Sequence, residues 1–141
     1  MSSNFPAILN PMEELINSGL EIRNALADAA QNLELAIANE AAKRRTAKEL
    51  RAMYEEAEAE FTVEATFGAT GSNAEKRKAE VEVAVVKARR DGVLSRLYAQ
   101  MNAAAYDHED GKSALTQMEV RFRATEAAAD LTAAMLRAAT R

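Results

Sequence analysis

The sequence predicts an all-α protein, a long antiparallel helical hairpin or helical bundle that is oligomeric. Three observations carry this expectation. Both prolines, Pro6 and Pro11, stand near the start of the chain, so nothing after residue 11 forbids helix. Beyond them, apolar residues recur in alternating steps of three and four. Between the two periodic stretches lies one unambiguous turn, Phe67-Gly68-Ala69-Thr70-Gly71-Ser72, whose two glycines supply backbone freedom.

Taken in order, residues 1–10 read as a flexible N-terminal arm and residues 11–141 as a single helical domain with its turn at 68–72. Pro11 suits a first helical position, with Asn10 as its N-cap and Glu13 and Glu14 at the positive end of the helix dipole. Gly19, after Asn17-Ser18, is a place for this helix to kink or restart. Its apolar spacing then runs through Ile22, Leu26, Ala29, Leu33, Ala36 and Ile37, and later Ala47, Leu50, Tyr54, Ala57 and Phe61. After the turn, Ser72 with Glu75 three residues on spells a capping box that starts the second helix.

The second stripe comprises Leu94, Leu97, Met101, Ala104, Leu115, Met118 and Phe122. It passes His108 and Gly111 without a change of phase, so one helix interrupted locally at Asp107–Gly111 and two separate helices both fit. Asp91-Gly92 is a second soft point, because glycine inside a helix costs about 1 kcal/mol relative to alanine. A hairpin centred near residue 70 sets side by side residues whose numbers add to about 140.

Composition argues for assembly. The hydrophobic fraction of 48% contains 32 alanines, leaving 12 Leu, 4 Ile, 7 Val, 4 Phe and 6 Met, with no Trp. At roughly 25 cal/mol per Å² of buried apolar surface, alanine adds little to a core. A monomer of this composition has a thin core. Self-association is therefore expected through a seam of Leu26, Leu33, Leu94, Leu97, Met101, Leu115, Met118 and Phe122. With no Cys there is no disulfide, thiolate metal site or Cys nucleophile. The first residues lack the basic and apolar regions of a signal peptide, and no run approaches the roughly 18 apolar residues of a membrane span. The expectation is a soluble, cytoplasmic protein without membrane contact.

Charge is distributed in blocks. Residues 1–42 carry −5, residues 43–51 carry +4, residues 55–64 carry −5 and residues 87–96 carry +3, within a total of −4. In a hairpin centred on residue 70, Lys43, Arg44, Arg45, Lys48 and Arg51 lie level with Lys87, Arg89, Arg90 and Arg96. Two basic blocks at one height repel unless an anion sits there, which makes them a candidate belt for nucleic acid or another anion. The alternative is a solvated surface partly neutralised by Glu40, Glu49 and Asp91, or by the acidic arm of a neighbouring chain. No aromatic stacking platform accompanies the belt, since Tyr54 and Tyr98 fit the apolar stripe. Nearer the turn, Glu60 and Glu64 fall level with Lys76, Arg77 and Lys78, an arrangement suited to ion pairs that fix the register.

No catalytic constellation emerges. The loop at 68–72 lacks the Gly-Lys-Ser/Thr ending of a nucleotide-binding loop. The single histidine lies in Asp107-His108-Glu109-Asp110, whose adjacent side chains point in different directions on a helix, and which reads as a polar break. No enzyme activity, cofactor, metal or small-molecule substrate is expected.

The stretch Thr70-Gly71-Ser72-Asn73-Ala74-Glu75-Lys76-Arg77-Lys78-Ala79 resembles the turn of small phage-encoded helical-hairpin, coiled-coil-like proteins. In these a long acidic helix leads into a Thr-Gly-x-Asn-x-x-x-Arg-Lys-Ala turn and a second long helix. Most are uncharacterised, and some are found beside phage single-strand annealing and recombination genes. The motif spans about ten residues, and the hairpin pattern spans most of the chain. The second helix here is richer in Ala and poorer in Lys than that pattern, and no functional residue transfers. The resemblance implies a non-enzymatic accessory protein in phage DNA replication or recombination, located in the host cell cytoplasm. Its partner would be single-stranded DNA or a DNA-metabolism protein. The alternative is a structural or host-enzyme-inhibiting interaction module with no nucleic-acid contact.

Overall fold

The computed structural model describes residues 10–141. The expected N-terminal arm, apart from Asn10, lies outside the described residues. Three helices account for nearly all of the remainder, α1 (Pro11–Gly68), α2 (Ala74–Asp91) and α3 (Ser95–Ala139), and the described residues contain no strand. The first cap is as the sequence indicates: Asn10 Oδ1 accepts a hydrogen bond from the Glu13 amide at 2.8 Å. The helix does not restart at Gly19. α1 runs through it, and the missing side chain admits Leu136, whose Cδ1 would lie 3.3 Å from a Cβ at this position.

The turn differs from the expected capping box by one residue. Asn73, not Ser72, caps α2. Its backbone is extended (φ −141°), and its Oδ1 accepts from the Lys76 amide at 2.8 Å. Glu80 reaches back one and a half turns to accept from the amides of Thr70 and Gly71, both at 3.1 Å. Arg77 Nη1 donates to the Gly71 carbonyl at 3.1 Å. A Cβ on Gly71 would meet the Arg77 amide nitrogen at 2.9 Å, so only glycine lets the strap close. Arg77 is spent on this strap, and among the described residues neither Glu60 nor Glu64 pairs with Lys76, Arg77 or Lys78. The expected register pairs are thus replaced by Glu80 and Arg77 acting within the turn.

Of the two soft points, only Asp91-Gly92 interrupts the helix. The amides of Gly92 and Leu94 both donate to the Ala88 carbonyl, at 3.2 and 3.1 Å, and Ser95 Oγ donates to the Gly92 carbonyl at 2.7 Å. Asp107–Gly111 is regular helix within α3. Two of its polar residues, Asp107 and His108, find partners on α1 in Lys43 and Glu40.

The chain divides into two compact units. Unit 2 is Asn39–Lys112, and unit 1 comprises residues 10–38 with Ser113–Arg141. Within unit 2, α1 runs antiparallel to α3. Its half-buried or buried positions recur every seven residues, at Glu40, Ala47, Tyr54 and Phe61 and at Lys43, Leu50 and Ala57 on α1. Facing them are Leu94, just before α3, and on α3 Met101 and His108 with Leu97, Ala104 and Gly111. This 3.5-residue spacing is that of a coiled-coil seam. Tyr54, Ala88 and Leu94 are its most buried part, with Ala57, Phe61, Leu97, Tyr98 and Met101 packed around them. Unit 1 shows the same spacing, from Met12, Gly19, Leu26 and Leu33 on α1 to Leu115, Phe122, Ala129 and Leu136 on α3.

The residues expected to form the oligomer seam all lie on these two seams within the chain. Leu94, Leu97 and Met101 belong to the core of unit 2, while Leu26, Leu33, Leu115, Met118 and Phe122 are half-buried seam positions of unit 1. So many seam positions are Ala, Gly or Thr that, among the described residues, no large side chain is fully buried.

Candidate nucleic-acid interface

A polar layer crosses the seam of unit 2. His108 Nε2 donates to Glu40 Oε1 at 2.9 Å, Arg44 lies 3.5 Å from Glu40 Oε2, and Lys43 pairs with Asp107 at 3.1 Å. Gly111 makes room for this layer, since a Cβ there would sit 3.1 Å from Lys43 Cδ. The Glu40 side chain is only 11% exposed. The hydrogen bond from His108, and after it the charges of Arg44, His108 and Lys112, hold its carboxyl below the usual carboxylate range against the opposing effect of burial.

This layer fixes the register of α1 against α3 in unit 2. A hairpin centred on residue 70 puts Lys43 opposite residue 97, yet its partner is Asp107, roughly ten residues further along. On α2 the slip is smaller, with Arg89 reaching Tyr54 and Glu58. The non-helical residues Gly92–Leu94 take up chain between the two without a matching advance along α1. The two basic blocks are therefore not level, and the belt of Lys43–Arg51 with Lys87–Arg96 separates into parts with different surroundings.

Arg89 is a structural residue. It donates to the Tyr54 hydroxyl and, at 2.8 Å, to Glu58, and its guanidinium lies 5.9 Å from the Tyr54 ring centroid and 5.6 Å from that of Tyr98. The two rings are themselves in tilted contact at 5.3 Å. Burial raises the Tyr54 phenol above its usual range, and the Tyr54 hydrogen bond lowers the Glu58 carboxyl. Lys87 and Arg90 flank an α2 face with Val83 and Val86. Arg45 and Arg96 are exposed.

The remaining cations of the α1 block converge. Arg44, Lys48 and Arg51, at i, i+4 and i+7, line one wall of a groove of about 660 Å³ beside the unit 2 seam. The other wall is α3, contributing Asn102, Ala105, Tyr106, Glu109 and Lys112, with His108 and Met101 at the base. Lys112 was not recognised in the sequence as part of a basic site, nor was Tyr106 as an aromatic one. The ten-residue slip brings both opposite the α1 block. Arg51 and Lys112 pair with Glu55 and Glu109 at 3.1 and 3.0 Å, but both pairs are more than half exposed. Such pairs are each worth about 0–1 kcal/mol, so an incoming anion displaces them at little cost.

Asp107, His108, Glu109 and Asp110 diverge, as successive helical residues must; Asp107 meets Lys43, His108 meets Glu40 and Glu109 meets Lys112. No helix among the described residues is long and apolar enough to cross a membrane. The chain matches no known protein family, no curated protein and no solved structure.

Proposed function

We propose that the protein is a non-enzymatic, self-associating helical-hairpin protein that holds single-stranded DNA through the basic groove of unit 2. The observation that carries this reading is the row of Arg44, Lys48 and Arg51 facing Lys112 across an open groove. At 1.5 Å per residue the three α1 cations span about 10 Å, enough for two or three successive phosphates. The acidic blocks at 1–42 and 55–64 repel a polyanion from the rest of α1, so contact is local and weak for one protomer. Self-association multiplies it by placing several grooves on one strand. An accessory role in phage-type DNA replication or recombination follows from the resemblance at Thr70–Ala79.

Support for self-association comes from unit 1, where a groove of about 330 Å³ is lined by Ile16, Leu20, Ile22, Leu26, Ala133 and Leu136 among others, with Arg23 its one charged residue. Ile16, Leu20, Leu131 and Met135 remain largely exposed in this unit. A second chain that covers them removes the apolar surface that the thin seam leaves in water.

Salt tests the DNA reading. Each phosphate contact on a single strand contributes a slope near −0.7 in log affinity against log salt. With three or four contacts, affinity for a labelled oligodeoxynucleotide should fall about 20- to 50-fold between 50 and 200 mM salt. Binding indifferent to salt removes the phosphate site. Absence of any binding favours a protein–protein module that works without nucleic acid.

A further inference from the structure

Resting on the groove reading above, we infer that Tyr106 is a base-stacking residue and that the groove selects unpaired over paired nucleic acid. Tyr106 lines the groove yet is 76% exposed. The other two tyrosines are committed to each other and to Arg89, whereas Tyr106 has no ring or cation partner among the described residues. Its neighbours one turn back on α3 are Asn102 and Ala103, too small to cover the ring.

The two walls differ in charge. The α1 wall presents Arg44, Lys48 and Arg51, while the α3 wall presents Tyr106, Asn102 and the Lys112–Glu109 pair. The one lysine of the α3 wall is paired with Glu109 on the same wall, so the excess positive charge of the groove lies on α1. A strand lying in the groove therefore turns its backbone to α1 and its bases to α3. There one base stacks on the phenol ring, and the Asn102 amide is placed to bond a base edge. A duplex cannot use this division, because its bases are already stacked on one another and both of its outer edges are anionic.

Three probes test this by fluorescence anisotropy: a labelled 40-mer of thymidylate, an abasic deoxyribose-phosphate 40-mer, and a duplex of the same length. Wild-type protein should bind thymidylate about tenfold tighter than the abasic strand, the scale of one stacked base. It should also prefer thymidylate to the duplex. Tyr106→Ala should remove most of the preference over the abasic strand while leaving abasic binding unchanged, and Tyr106→Phe should retain it. An exposed side chain makes both variants safe for folding, which circular dichroism checks. Equal binding of thymidylate and abasic strands by the wild type, or an unchanged preference in Tyr106→Ala, overturns the stacking role while leaving the phosphate site standing. Failure of all three probes to bind overturns both.

Discussion

His108 donates a 2.9 Å hydrogen bond to Glu40 across the seam of unit 2, where a coiled coil ordinarily places two apolar side chains. The pair, with Lys43–Asp107 beside it, admits one register of α1 against α3. A slip by one heptad would set the Glu40 carboxylate against Met101 or Leu115, neither of which can donate a hydrogen bond to it. Because folding lowers the Glu40 pKa, its contribution to stability is complete above the ordinary carboxylate pKa of about 4.3 and lost as pH falls through the folded value. Urea unfolding at pH 7 should show Glu40→Gln less stable than wild type, with the gap closing as both approach pH 3. A gap independent of pH would mean that the carboxylate charge contributes nothing to the layer.

Leu94 is 3% exposed and anchors the core where α2 gives way to α3. Truncation to alanine should cost about 2–3 kcal/mol, the lower part of the usual range because the surrounding core is thin. Val93, one residue earlier, is exposed, and Val93→Ala should be within about 0.5 kcal/mol of wild type. Thermal or urea midpoints check the contrast, and equal loss in the two variants would place the core elsewhere.

Self-association predicts a mass by light scattering of at least twice 15.3 kDa at micromolar concentration. Leu20→Asp together with Leu131→Asp, both exposed in unit 1, should lower that mass without loss of helicity. A wild-type monomer that melts cooperatively would sink the proposal.

The helices were legible because their signals are local. Asn10-Pro11 marks the first cap, the seven-residue spacing marks the seam, and Gly68–Gly71 marks the turn. Two local readings missed by little: Asn73 outcompetes Ser72 for the cap because its side chain reaches the Lys76 amide, and Asp107–Gly111 stays helical, with Glu40 and Lys43 of α1 as partners for His108 and Asp107. The site was less legible because it depends on register. The interruption at Gly92–Leu94 moves α3 along α1, which brings Lys112 and Tyr106 to Arg44 and Lys48 and sets Tyr98 beside Tyr54 and Arg89. One signal was present: charged Glu40, Lys43 and His108 fall on seam positions, and pairing them across the seam yields the true register.

The groove is tested most directly by comparing two charge reversals of equal size. Lys48→Glu with Arg51→Glu strikes the groove, and Lys87→Glu with Arg90→Glu strikes the α2 face outside it. Anisotropy of a labelled single-stranded 40-mer at 50 mM salt should show wild-type binding, near-complete loss in the groove variant, and binding in the α2 variant reduced severalfold at most. Equal loss in both variants, or no binding by the wild type at tens of micromolar protein, would contradict a nucleic-acid site in the groove.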